Sequence, residues 1–282
     1  MYKATLVLEG GATRGVYTAG VLDYFMEQKL EISDVIGVSA GACNAVDYVT
    51  KQIGRSKKCL IATEKKNRFY GFDKLVKKGN FLDMDLMFDD FANRIFPFNY
   101  DDFITSSMNC EIVVTNCKEG RPDYLKAKKT EDIMPICRAS SSVPVLAPMV
   151  WIGDVPYLDG GITDSVPIRR AVELGNEKIV VILTRNQGYR KKAPSKAALR
   201  LCKHKYPEYP NLIKAIENRY KMYNETMDYI NQLEKEGKIY VMRPTLPAVS
   251  RFEKSPEKLT EFYQHGYDDG KKEYSSLLKY IS

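Results

Sequence analysis

The sequence predicts an α/β fold built on parallel strands, and three local patterns near its start predict it. Residues 4–9 (Ala-Thr-Leu-Val-Leu-Glu) are strand formers that stop at Gly10-Gly11, as a strand feeding a tight turn does. After Gly15, the residues Val16, Ala19, Val21, Leu22 and Phe25 recur at helical spacing, so a helix runs to about Gln28. Asp34 to Val38 then reads as a short buried strand, and Ala40, Ala42, Cys43, Ala45, Val46, Tyr48 and Val49 supply a second apolar helix. This β-α-β-α order belongs to a parallel sheet with helical crossovers.

Farther along, residues 83–95 read as an amphipathic helix stopped near Pro97. Cys110 to Asn116 is a strand, and Gly120 and Pro122 mark a turn before Tyr124-Leu125. Lys178 to Leu183 is the clearest buried strand. Beyond Arg185 the character changes: 211–236 is helical with a polar face, 239–242 is a strand, and 255–281 is helix again. There is no internal repeat. The simplest organisation is one domain over 1–282, with a catalytic core at about 4–185 and a helical extension at about 190–282.

With 282 residues, 44% hydrophobic and 28% charged, the chain has an ordinary globular composition. No stretch approaches the roughly 18 apolar residues of a membrane span. The apolar run near the N-terminus is too short for a signal peptide and ends at Glu9, so a cytoplasmic protein is expected. Cys43, Cys59, Cys110, Cys117, Cys137 and Cys202 form no C-x-x-C pair and there are two histidines. Reduced, scattered thiols follow, with no metal site and no cofactor.

The formal charge is +7, with 43 Lys and Arg against 36 Asp and Glu. Much of the excess lies in Arg185, Arg190, Lys191, Lys192, Lys196, Arg200, Lys203, His204 and Lys205. Such a stretch can bind nucleic acid, attract an anionic membrane surface, or remain a solvated segment. No nucleic-acid partner is expected, and peripheral contact with an anionic membrane surface runs through residues 185–205 if the stretch is more than solvated surface.

Gly37-Val38-Ser39-Ala40-Gly41 fits G-x-S-x-G between a buried strand and an apolar helix. Small residues are required because the chain turns sharply there, leaving Ser39 strained with its hydroxyl exposed. A glycine-flanked serine that merely caps a helix has the same local pattern. The loop Gly10-Gly11-Ala12-Thr13-Arg14-Gly15 also resembles the G-x-G-x-x-G of dinucleotide sites. However, Ala12 occupies the close-approach position, and the next strand ends in Ser39 rather than in an acidic residue. As an oxyanion hole the loop needs only converging backbone N–H groups, each worth about 2.7–4 kcal/mol when removed.

A serine needs a base. His204 lies in the basic stretch and His265 at the end of a helix, so the order Ser39, Asp159, His265 formally permits a triad. Only one strand precedes the elbow strand, which does not suit the α/β-hydrolase arrangement. Asp159 is the better candidate: followed by Gly160-Gly161, it can sit in a tight loop with backbone pressed close to a partner, unless Asp-Gly-Gly is simply a turn. Val155, Leu158 and Ile162 are apolar neighbours that would desolvate its carboxylate.

Taken together, Gly10 to Gly15, Gly37 to Gly41 and Asp159-Gly160-Gly161, with Arg138 to Pro144 ahead of the aspartate, resemble the patatin-like phospholipase family over about residues 4–185, and the later portion resembles bacterial members. The resemblance implies a three-layer α/β/α fold with a mainly parallel central sheet and a helical C-terminal portion. It implies Ser39 as nucleophile and Asp159 as base of a dyad without histidine, and an oxyanion hole from the backbone of Gly11 and Ala12 braced by Arg14. It also implies lipid esters as substrates and no catalytic metal. The family usually has a third glycine at Ala12, so a positive φ there would strain the hole and open the reading of a catalytically weak lipid-binding or scaffolding protein. Pro144, Val145, Leu146, Pro148, Met149 and Val150 are candidates for an acyl-chain wall or for core.

Overall fold

The computed structural model describes residues 1–282. Strands β1 (Tyr2–Leu8), β2 (Ile32–Val38), β3 (Asn109–Asn116), β4 (Arg121–Leu125), β5 (Val150–Ile152), β6 (Val155–Asp159), β7 (Ile179–Ile182) and β8 (Tyr240–Met242) make one sheet, in the order β5-β6-β3-β2-β1-β7-β8. The pairs β1–β2, β2–β3, β1–β7 and β7–β8 are parallel. β4 joins β3 antiparallel, and the β5–β6 hairpin turns at Gly153, where φ is +58°.

Side-chain alternation sorts the strands between two helical layers. Leu6 and Leu8 of β1, with Val180 and Ile182 of β7, face the larger core. That core is closed by α1 (Gly15–Glu27), α2 (Ala40–Val49), the short helices α3 (Arg55–Leu60) and α5 (Tyr100–Thr105), and α6 (Thr130–Ser141), while α4 (Phe72–Lys78) buries no side chain. Val7, Ile36, Val38, Val113, Val181 and Leu183 face the other way, against α7 (Ile168–Glu173). Of the remaining helices, α8 (Lys196–Lys205) lies at one side, α9 (Pro210–Lys235) covers the α7 face through Tyr223, Ile230 and Leu233, and α10 (Pro256–Ile281) crosses to the α1 face. Strands buried on both faces read as continuous apolar runs. This is the expected α/β/α layering.

Two details depart from expectation. Residues Leu86–Ile95 are wound as a π-helix rather than an α-helix. Leu86, Phe91 and Phe96 recur every five residues, the Phe96 N–H bonds to the Phe91 carbonyl, and the two phenyl rings pack 5.1 Å apart. The basic stretch does not form one surface. Arg190 pairs with Asp228, while Lys196, Arg200 and Lys203 are exposed on α8. Arg185 and Lys191 turn inward.

α10 lies on α1 with almost no space between the backbones. A Cβ on Gly266 would stand 2.0 Å from the Tyr17 carbonyl oxygen, and one on Gly20 would stand 2.1 Å from that of Tyr263. Tyr263 also reaches across to the buried Asp23, its hydroxyl donating at 2.6 Å.

Candidate active site

The edge of β3 opposite β4 is divided between two partners. Its first half pairs with β2, ending at Val38 opposite Val113, and its second half pairs with β6, beginning at Val114 opposite Asp159. Parallel β2 and antiparallel β6 therefore end facing one another at consecutive residues of β3. Ser39 leaves the end of β2 just where Asp159 ends β6, and the Ser39 hydroxyl donates to Asp159 Oδ2 at 2.9 Å.

The elbow has the backbone its pattern requires. Ser39 sits at φ +56°, ψ −121°, between β2 and α2, and is 9% exposed. Its N–H donates to Ser140 Oγ, whose own proton goes to the Val113 carbonyl at 2.6 Å. Ser140, on α6, thus ties the elbow to β3. No separate sequence signal marks it within Arg138 to Pro144. A Cβ at Gly37 would lie 2.4 Å from the Gly41 carbonyl oxygen, and one at Gly41 would lie 2.3 Å from that of Leu8. Both glycines exist because strand and helix backbones touch.

Asp159 is fixed from several sides. Gly161 N–H donates to its Oδ1 at 2.7 Å, Thr115 Oγ1 donates to its carbonyl, and its N–H donates to the Ser142 carbonyl. Gly160 presses on Val113, where a Cβ would meet the carbonyl oxygen at 2.2 Å. The apolar neighbours expected to desolvate the carboxylate face elsewhere. Leu158 and Ile162 pack with Cys117 and Leu212, and Val155 packs with Val114 and Ala139.

The glycine loop lies opposite. Gly10 N–H reaches the Ser165 carbonyl only at 3.5 Å, and the N–H groups of Gly11 and Ala12 donate to no protein acceptor. Gly15 opens α1 against α2, where a Cβ would meet that of Ala40 at 2.8 Å. Ala12 has φ +51°, the sterically costly side for a residue with a Cβ. Ala12→Gly is therefore expected to raise stability by about 0.5–1 kcal/mol. A thermal melt of that variant checks this, and a fall in stability would mean the loop is not strained.

The brace differs from expectation. The Arg14 side chain makes no hydrogen bond or ion pair with the protein, and its Nε is buried without a partner. Thr13 holds the loop instead. Its N–H and hydroxyl donate to the Arg251 carbonyl, the hydroxyl also reaches the Ser250 carbonyl, and Glu253 N–H donates back to it at 3.2 Å.

Ser39 and Asp159 open into a cavity of about 220 Å³, also lined by Glu9, Gly10, Gly11, Ala12, Arg14, Gly161, Ser165, Arg185, Tyr189, Lys191, Arg219, Tyr223 and Arg251. Neither histidine lines it. His204 is exposed on α8, while His265 Nε2 accepts from Thr245 N–H at 3.0 Å and its ring packs on Tyr17. Val145 and Met149 pack beside Tyr206, and none of the residues 144–150 reaches the cavity. Arg219, Tyr223 and Arg251 carry no local sequence signal, because only tertiary packing brings them to Ser39.

Asp164 closes the loop behind Asp159, with the Tyr124 hydroxyl donating to its Oδ2 at 2.9 Å. Burial pushes its carboxyl up from 3.8 to about 6, against the opposing pull of that hydrogen bond. A raised carboxyl favours the folded state fully below the unfolded value and loses that contribution as pH rises through the folded one. Asp164→Asn is expected to be more stable than the parent at pH 8 by on the order of 1–2 kcal/mol and to converge with it near pH 4. Denaturant melts at both pH values test this, and superimposable curves at pH 8 would reject it.

A model of the patatin-like phospholipase family matches residues 6–172. The chain belongs to that family. A second model, a domain of unknown function (DUF6363), matches residues 209–282. Among curated proteins, the uncharacterised YjjU of Escherichia coli K12 is 32% identical over 187 residues, 64% of this chain and 52% of that one. A probable lipid hydrolase, 463L, of Invertebrate iridescent virus 6 is 26% identical over 192 residues, 63% of this chain and 66% of that one. The alignments thus span about half to two thirds of the length of these relatives. VipD from Legionella pneumophila shares the fold, with a TM-score of 0.54 at 15% identity over 98% of this chain and 67% of that one. No helix of this patatin-like chain is long and apolar enough to cross a membrane.

Proposed function

We propose that this protein is a lipid acyl hydrolase that cleaves carboxylic esters through a Ser39–Asp159 dyad and an acyl-enzyme. The observation that carries the reading is the 2.9 Å hydrogen bond from the Ser39 hydroxyl to Asp159, in a cavity that no histidine lines. Ser39 Oγ attacks the ester carbonyl as Asp159 takes its proton. The oxyanion is held by the free N–H groups of Gly11 and Ala12. Collapse breaks the ester C–O bond, and the alcohol leaves with the proton from Asp159. Water then gives a proton to Asp159 as its oxygen attacks the acyl carbon, and the carboxylic acid departs as Ser39 recovers its hydrogen. No metal or cofactor enters any step.

In this reading the chain is one domain, its core at about 4–185 completed by the extension at about 190–282, and it works in the cytoplasm with peripheral access to membrane. The positive φ of Ala12 favours a second reading, a lipid-binding protein with little turnover. A fluorophosphonate probe separates the two. Stoichiometric labelling of Ser39 in folded protein supports the hydrolase, and absence of labelling supports the binder.

A further inference from the structure

The cavity around Ser39 is unusual in charge rather than in shape. Five cations line it, Arg14, Arg185, Lys191, Arg219 and Arg251, against two carboxylates, Glu9 and Asp159. None of the five forms a salt bridge anywhere in the protein, although seventeen salt bridges are made elsewhere. The two carboxylates are already engaged. Glu9 accepts from Thr184 N–H, Thr184 Oγ1 and the Tyr223 hydroxyl, and Asp159 accepts from Ser39 and Gly161.

Aromatic faces and a carbonyl hold these cations instead. The Arg185 guanidinium lies 4.1 Å from the Tyr189 ring centre, the Lys191 ammonium 4.2 Å from that of Tyr223, and the Arg251 guanidinium 5.5 Å from that of Phe252. Arg219 Nε donates to the Gly161 carbonyl. A ring face or a carbonyl orients a cation without neutralising it. Arg14 has no such support, with its residue 8% exposed and its Nε unpaired. Burial and mutual repulsion push Arg14, Lys191 and Arg251 below their ordinary proton affinities. Like charges crowded in a cavity destabilise the empty protein, so the arrangement implies an anion that relieves them.

We propose that this cavity is a binding site for a phosphate monoester, so that the ester presented to Ser39 belongs to a lipid ending in a dianionic phosphate. The inference rests on the hydrolase reading for the acyl bond, but the site itself does not. Only three of its fifteen lining residues are hydrophobic, which fits a headgroup and not an acyl chain. A choline or ethanolamine headgroup is disfavoured. The ring faces of Tyr189 and Tyr223 are already taken by Arg185 and Lys191, both carboxylates are occupied, and the guanidinium groups of Arg14, Arg185, Arg219 and Arg251 repel an ammonium. Arg219, Tyr223 and Arg251 lie within residues 209–282, the segment matching a domain of unknown function. Selecting the headgroup would be the role of that segment.

The test is calorimetric titration of the Ser39→Ala protein, which cannot turn over, with four ligands. These are a short-chain lysophosphatidate below its micelle concentration, its choline counterpart, glycerol 3-phosphate and inorganic phosphate. The lysophosphatidate is expected to bind at least about 30-fold more tightly than the choline lipid, and Arg251→Gln and Lys191→Gln are each expected to weaken it about tenfold. The same substitutions should leave the ligand-free melting temperature unchanged or raised, since each relieves repulsion. A purely structural role would lower it. Equal affinity for the phosphate and choline lipids, or no saturable binding, overturns the proposal. Inorganic phosphate or glycerol 3-phosphate binding as tightly as the lipid overturns the lipid assignment and gives the site to a soluble phosphate. Selective binding without fluorophosphonate labelling of Ser39 in the parent protein leaves the site standing and removes the hydrolase. Labelling without selective binding does the reverse.

Discussion

Ser39→Ala and Asp159→Asn are each expected to lower kcat/KM for a p-nitrophenyl ester by on the order of 10⁴ or more, the scale on which nucleophile and base act as a unit. The two losses have different origins. Ser39→Ala removes the attacking oxygen. Asp159→Asn can keep the contact with Gly161 N–H but cannot accept the serine proton, so the nucleophile stays in its weak, protonated form. Because they remove one step, the double variant should be no slower than the worse single one. His265→Gln and His204→Gln should stay within about twofold, since His265 Nε2 is engaged with Thr245 and His204 lies on the surface. Retention of more than a tenth of the activity by Asp159→Asn would end the dyad reading. So would its loss with either histidine.

Gly266→Val has the largest expected effect on stability. A single carbon at this position would stand 2.0 Å from the Tyr17 carbonyl oxygen, with Gly20 meeting Tyr263 in the same way from the other helix. Valine therefore requires α1 and α10 to separate along a contact that includes Tyr17, Phe262 and Tyr263. Both obstructions are backbone, which no rotamer can move aside. The expected cost exceeds about 3 kcal/mol, and the melting temperature should fall by about 6–12 °C. Scanning calorimetry reads this directly. A shift under about 2 °C would show that the helices are not held so close.

The first 49 residues were legible because each element carries its own period. A strand pattern, a turn, a helical stripe and a buried strand follow one another, and Gly37 records a contact with the backbone of Gly41, its near neighbour in sequence. Legibility failed where the determinant was remote or ambiguous. Pro135 lies inside α6 and disguises that helix. The five-residue recurrence of Leu86, Phe91 and Phe96 passes for an amphipathic α-helix unless the winding is known. Ser39 and Asp159 could be chosen from their glycines, but their meeting depends on β3 changing partners between Val113 and Val114, which no local pattern records. The cavity cations were visible only as ordinary basic residues. Arg185 and Lys191 shared a stretch with residues that remain on the surface, and Arg219 and Arg251 stood apart from every motif.

Thr13 is held by the carbonyls of Ser250 and Arg251, and this orders events during synthesis. A nascent chain elongated only as far as Leu183 already contains Ser39, Asp159 and the glycine turn. The clasp on that turn is still untranslated, and so are Arg219 and Arg251. The half-made polypeptide has the pair proposed to react without the vessel that positions it.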